Sequence, residues 1–522
     1  MITGKNYIGN ELSAQGIITY KTINPETNSE NESTFYEATK EEVDRALELA
    51  TKAFKSYKKT SDIAKAGFLE AIASEMEAIE EDLIEIYIKE SALPAGRAKG
   101  EFARTTGQLR SFATMLREGS YVEAILSKPE GKFDIRRMLI PIGPVAVFGA
   151  SNFPFAFSTA GGDTASALAA GCPVVVKSHP MHAGTGELVS SAIIKAAKIT
   201  EMPNGVFSNL NSSGIEIGKI LVQHPGIKAV GFTGSFNGGM ALFKIAAGRK
   251  EPIPVYAEMG SINPVVVLPS ALKSKGKYWA EQYASSITQG SGQFCTSPGL
   301  ILGISGDSFD DFVSILNERI EEIEPTCMLH PNIKKKYDEM KSEVLSQRKS
   351  GDTGTIDKIV KENYGLPNIV TVKGADFLEN KTFHKEVFGP FSVIVECGDK
   401  EELIEILQNL EGQLTGTVLC ENPLELEEYA EATEALKDSV GRIIFNSVPT
   451  GVEVSAAMTH GGPFPASLDS KFTSVGLTAV KRWVRPVSYQ DWPNSLLPEA
   501  LKNENPLGIL RSVTGKITKN IL

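Results

Sequence analysis

Cysteine is scarce. Five occur in 522 residues, at positions 172, 295, 327, 397 and 420. Their number is odd and no pair has C-x-x-C spacing, which argues against a disulfide framework and a cysteine zinc site. No metal is expected. Long apolar runs are also missing. No stretch approaches the ~18 residues of a spanning helix, so no membrane partner is expected. The opening residues MITGKNYIGN lack a basic segment followed by an apolar one, and a secretory leader is not read there. The expectation is a reduced, cytoplasmic protein. Positive charge is in deficit, with 53 Lys and Arg against 64 Asp and Glu, a net charge of −11. General nucleic-acid binding is therefore excluded, because phosphate neutralisation needs a basic surface. Internal repeats and low-complexity tracts are absent as well.

What is present is globular composition, 42% hydrophobic and 22% charged, long enough for two to four domains. Residues 38–118 read as helical. Within them Ile72, Met76, Ile79, Leu83 and Ile86 recur at three- and four-residue intervals, which predicts one amphipathic helix with an acidic outer face. Residues 121–141 read as a hairpin. From 144 to 257, short apolar runs (PVAVFG, PVVVK, GVFSNL, IKAVGF, PVYAE) alternate with helical stretches. A second alternation follows from 264, through LILGI, NIVTV, FSVIVEC, TGTVLC and RIIFN. Apolar runs without period-two alternation are strands buried on both faces. The pattern predicts an α/β protein with two doubly wound parallel sheets. The tail from about 486 reads as irregular.

Four segments carry candidate chemistry. Cys295 sits in the Gly- and Ser-rich loop Gln289–Ser297, where the backbone can approach a ligand closely. The other cysteines lie in or beside apolar runs and read as packing residues. A thiol nucleophile needs an activator. The histidines, at 179, 182, 224, 330, 384 and 460, lie in no papain-like motif. Glu258 ends the run PVYAE, at the C-terminal end of a strand, where α/β sites form. The turn Gly231–Gly239 joins a strand to a helix, a position suited to a phosphate, though it lacks the GxGxxG pattern. Asn152 follows the first strand and could donate to an oxyanion.

Taken together, Asn152, Lys177, the 231–239 turn, Glu258 and Cys295 carry a resemblance. The chain resembles the aldehyde dehydrogenase superfamily over nearly its whole length. The wording Glu258-Met259-Gly260-Ser261-Ile262-Asn263-Pro264, Gln293-Phe294-Cys295-Thr296 and Gly462-Pro463-Phe464-Pro465-Ala466-Ser467 is similar to a branch of α-ketoglutaric semialdehyde (2,5-dioxovalerate) dehydrogenases and NADP-dependent fatty aldehyde dehydrogenases. The resemblance implies oxidation of a small-molecule aldehyde to the acid, with NADP or NAD. Cys295 would be the nucleophile, Asn152 the oxyanion donor and Glu258 the base that activates water. Lys177, Gly234, Ser235, Gly239, Glu386 and Phe388 would hold the cofactor. Phe153, Phe157, Phe294, Thr296 and Phe464 would line the substrate pocket.

The resemblance further implies a dinucleotide-binding domain of residues 1–118 and 142–259 and a catalytic domain of 260–470. Residues 119–141 and 471–522 would form an oligomerisation arm and tail, the 119–141 hairpin combining with a C-terminal strand near 482–489, giving a homodimer or homotetramer. Pro180 stands where NAD-specific members often carry a glutamate that repels the 2′-phosphate. No arginine lies between 178 and 248 to grip that phosphate. Use of both cofactors is the expectation. A semialdehyde carboxylate would want a cation, for which Arg104, Lys471 and Arg485 are candidates. A fatty aldehyde would want an apolar funnel. A catalytically inactive structural or binding protein on the same fold would lack a site residue, and none is missing.

Overall fold

The computed structural model describes residues 2–128, 132–349, 358 and 360–522. Residues 129–131 of the expected hairpin, and 350–357 and 359 of the second α/β region, lie outside them.

The first apolar alternation forms one sheet. Parallel strands Val255–Glu258, Ala229–Thr233, Val145–Phe148, Val174–Lys177 and Phe207–Leu210 lie side by side in that order. The strand Asn6–Ile8 then pairs antiparallel through Tyr7 and Asn209, with Glu11–Ser13 beyond it. Val145–Phe148 and Phe207–Leu210 are buried along their whole length, as the unalternating apolar runs require. The second alternation forms an all-parallel sheet in the order Asn368–Lys373, Phe391–Cys397, Leu300–Ile304, Pro264–Val267, Gln413–Leu419 and Val440–Phe445. In both sheets the crossovers are helical, so both faces carry packed apolar layers.

Local signals set the element ends. Thr39 and Glu42 form a reciprocal capping box at the start of Lys40–Tyr57. Gly171, at φ 93°, ends the helix Gly162–Ala170 in the left-handed conformation a glycine adopts without penalty.

Two expectations are corrected. The single amphipathic helix through Ile72 and Ile86 is two helices, Asp62–Glu77 and Glu80–Ser91, broken where Ile79 takes φ −126°. Both pack on Ala95–Glu118 and Ala183–Ile199, so the apolar spacing runs on across the break. The strand expected near 482–489 is present, and the tail beyond it is not irregular. Val484–Gln490 pairs antiparallel with Ile135–Pro141, which pairs with Ile125–Ser127. Arg511–Val513 adds to Ile125–Ser127 in parallel, and Lys516–Thr518 completes a five-stranded sheet. Leu497, Ala500, Leu501 and Ile509 build a small core under it.

Candidate active site

The two parallel sheets meet at the strand-end residue Glu258, which the chain leaves to enter Pro264–Val267. Asn263, at φ 47°, turns the chain there. Its Nδ2 donates to the carbonyls of Cys295 and Ser297, both at 2.9 Å. Its Oδ1 accepts from Ser261 and Thr415 at 3.0 Å. One buried amide therefore clamps the cysteine loop to the sheet end. Before the cysteine, Gly290, Ser291 and Gly292 have φ of 57°, 56° and 64°. A Cβ at Gly292 would lie 2.2 Å from the Gly389 backbone, so the loop closes only around glycine.

Cys295 is half-buried. Its Sγ lies 3.5 Å from His460 Nε2, and that nitrogen lies 2.9 Å from Glu258 Oε1. Glu258 Oε2 accepts a 2.5 Å hydrogen bond from Ser474. Glu258 and His460 are both buried. Burial alone would raise the Glu258 pKa, but His460, Ser474 and the charge of Arg482 together bring it below the usual carboxylate value. The Cys295 thiol is pushed well above its ordinary value, by burial first and then by the charges of Glu258 and Glu386. An ionised Glu258 at 2.9 Å repels a bare nitrogen lone pair. His460 Nδ1 is buried without a partner. A hydrogen on Nε2 would face both the carboxylate and the sulfur. The atoms from Glu258, Cys295 and His460 lie within 4.8 Å of one another, a spacing that also suits a metal ion.

His460 was missed by the sequence reading. It is 165 positions from Cys295 and lies in no histidine motif. The segment after it makes the contact. Met259 N donates to Ala466 O at 2.8 Å, and Leu468 N to Ala257 O at 3.1 Å. His460 N donates to Thr473 Oγ1 at 2.8 Å. A cavity of about 20 Å³ beside Glu258, His460 and Ser474 has room for one water.

Asn152 is buried in the loop after Val145–Phe148, with Nδ2 donating to the Gln293 carbonyl at 3.0 Å. The amide has a second hydrogen to offer. Phe153 packs edge-on against Phe157 (5.2 Å) and Phe294 (5.5 Å), and Phe157 lies 5.9 Å from the His460 ring. Thr296 is buried beside the cysteine with an unpartnered hydroxyl. Phe464 does not join this wall. It is 55% exposed and packs edge-on against Phe236. Phe155 is core, stacked on Tyr87 and edge-on to Phe102.

The other candidates lie on three separate elements. Gly234 and Ser235 are exposed at the start of the helix Phe236–Ala247, and Ser235 caps it. A Cβ at Gly239 would lie 2.7 Å from Met259 Sδ, so Gly239 seats the helix on the strand. Lys177 ends its strand and donates to the Ser212 carbonyl at 2.7 Å, and burial pulls its pKa down to about 8. Glu386 and Phe388 share a recess with Ser261, Gly292 and Phe294. Burial raises Glu386 to about 7.

The family model described as aldehyde dehydrogenase family matches residues 12–469. The chain is 43% identical over 526 residues to an alpha-ketoglutaric semialdehyde dehydrogenase of Acinetobacter baylyi, covering 99% of each chain. It is 44% identical over 525 residues to alpha-ketoglutaric semialdehyde dehydrogenase 2 of Azospirillum brasilense, again covering 99% of each. A solved 1-pyrroline-5-carboxylate dehydrogenase from Thermus with bound NAD superposes with a TM-score of 0.81 at 22% identity. The match covers 93% of this chain and 92% of that one.

Proposed function

The chain belongs to the aldehyde dehydrogenase family, and from that premise we propose that it oxidises 2,5-dioxopentanoate (α-ketoglutaric semialdehyde) to 2-oxoglutarate with NAD or NADP. The observation that carries the reading is the convergence of Cys295, Glu258, His460 and Asn152 where the two sheets meet. Close relatives named for the semialdehyde favour it over a fatty aldehyde.

Cys295 loses its thiol proton to solvent, and the thiolate adds to the aldehyde carbon to form a thiohemiacetal. His460 Nε2–H donates to the sulfur as its charge develops. The second amide hydrogen of Asn152 and the Cys295 N–H hold the oxyanion, a contribution of about 3–4 kcal/mol in comparable sites. A bound nicotinamide would supply the hydride acceptor that lets the thiohemiacetal become a thioester. Glu258 then takes a proton from water, and the hydroxide displaces Cys295 to release the acid.

The residues present suit a dinucleotide. The exposed start of Phe236–Ala247 at Gly234 and Ser235 offers backbone N–H groups to a pyrophosphate. Lys177 and Glu386 would serve as ribose partners, with Phe388 beside the latter. Pro180 leaves no carboxylate against a 2′-phosphate, and Arg249 is tied to the Val222 and Ile227 carbonyls. Both cofactors are therefore used.

Residues 1–118 and 142–259 act as the cofactor domain and 260–470 as the catalytic domain. The five-stranded arm pairs copies into a homodimer or homotetramer in the cytoplasm. Steady-state rates for the semialdehyde and for long-chain aldehydes, each with NAD and NADP, test the reading. The semialdehyde should have the highest kcat/KM, with turnover on both cofactors. A preference for long-chain aldehydes would contradict the substrate. No turnover with NADP would contradict dual cofactor use.

A further inference from the structure

Of the three cations that the sequence offers for a substrate carboxylate, Lys471 and Arg485 are exposed, and Arg485 sits on the arm strand Val484–Gln490. Arg104 is different. It lies on the helix Ala95–Glu118, half-buried, with its guanidinium 5.1 Å from the centre of the Phe157 ring. Phe157 in turn borders His460, which contacts Cys295. Both Arg104 Nη atoms are shielded from water and have no hydrogen-bond partner. Among the described residues no other arginine has both Nη atoms in that state. Arg97, two turns earlier on the same helix, gives one Nη to the Asn152 carbonyl at 2.9 Å and stacks on Phe153 and Phe294.

The acidic groups around Arg104 are engaged elsewhere. The Glu101 oxygens accept from Phe155 N, Ala156 N and the Tyr87 hydroxyl, at 2.8, 2.9 and 2.6 Å. Glu258 holds Ser474 and faces His460. Glu453 is exposed. Burial pulls the Arg104 pKa down, and the nearby charges of Glu101, Glu258 and Glu453 act against that pull, yet none of these groups hydrogen-bonds it. A shielded guanidinium with an idle two-nitrogen fork is costly unless something fills it. A carboxylate matches that fork with two parallel hydrogen bonds.

We propose that Arg104 is the specificity residue of this enzyme, its two Nη atoms binding the carboxylate at the far end of the semialdehyde while the aldehyde lies at Cys295. This rests on the semialdehyde reading above. It also accounts for an aromatic wall that carries a cation, where a fatty-aldehyde funnel would be apolar throughout.

The test compares wild type, Arg104→Met and Arg104→Lys on 2,5-dioxopentanoate and on pentanal, an aldehyde of equal length without the carboxylate. For Arg104→Met, the ratio of kcat/KM between the two substrates should fall on the order of 10²-fold, mainly through KM for the semialdehyde. Arg104→Lys should recover part of that ratio, since a point charge cannot make the bidentate contact. Thermal stability should hold or rise in Arg104→Met, because an unpaired buried charge is removed. A ratio unchanged in Arg104→Met, with wild type strongly preferring the semialdehyde, overturns the assignment and leaves the substrate reading standing. A wild type with no preference for the semialdehyde overturns both.

Discussion

The Glu258 carboxylate is held ionised, against its burial, by a histidine that also touches the nucleophile. Removing that histidine has a signed consequence. A depressed folded-state pKa means that the carboxylate is ionised down to lower pH and that its stabilising contacts are lost as pH falls through that value. In His460→Gln the depression weakens. The acid limb of the kcat profile should move to higher pH, and kcat should fall on the order of 10²-fold. An unmoved acid limb would show that His460 does not set the base. At this scale the sequence was partly legible. Cys295 and Glu258 stand in wording specific enough to find, and Asn152 follows from strand order. His460 was invisible because its proximity is produced by the pairing of 466–468 with 257–259, a contact that no local spacing encodes. Phe464, an aromatic in a recognised motif, is exposed beside Phe236 rather than packed against Phe157 and Phe294.

Elements were more legible than residues, because burial on both faces leaves a plain record in apolar runs. Each strand run from PVAVFG to RIIFN overlaps a strand of the two parallel sheets. The helix that was wrongly joined at Ile79 shows the limit, since two helices packed on common neighbours keep one apolar rhythm. The helix Phe236–Ala247 is seated through Gly239, where a side chain would meet Met259 and Ala257. Gly239→Ala should cost ~1–3 kcal/mol through overpacking and weaken cofactor binding by lifting the helix start. A thermal melt and a cofactor titration check both effects. Wild-type values for the two would mean that the contact does not position the turn.

Across the whole molecule, exposed apolar side chains recur in the C-terminal segment, at Trp492, Leu496, Ile517 and Ile521. The arm sheet also leaves Val484–Gln490 and Lys516–Thr518 as edges. Unpaired edges beside apolar surface suit a second copy. The double variant Trp492→Asp and Ile517→Asp should therefore shift the mass measured by light scattering toward the monomer, and an unchanged oligomer mass would place the interface elsewhere. The tail was hardest to read because Arg511–Val513 and Lys516–Thr518 are three residues long, and Arg511–Val513 pairs with Ile125–Ser127 almost 400 positions away. The larger consequence of the architecture is chemical. One sheet ends at Glu258, the other holds the Cys295 loop, and a single thioester must form on one and be hydrolysed by the other. The direct measurement is rapid-quench mass spectrometry of Glu258→Gln turning over the semialdehyde with saturating cofactor. Loss of the carboxylate removes a charge that raises the thiol pKa, so acylation should persist while hydrolysis stalls. The account predicts a burst of reduced cofactor, little steady turnover, and a matching acyl adduct on Cys295. Steady turnover at the wild-type rate, or a burst with no adduct on Cys295, would contradict it.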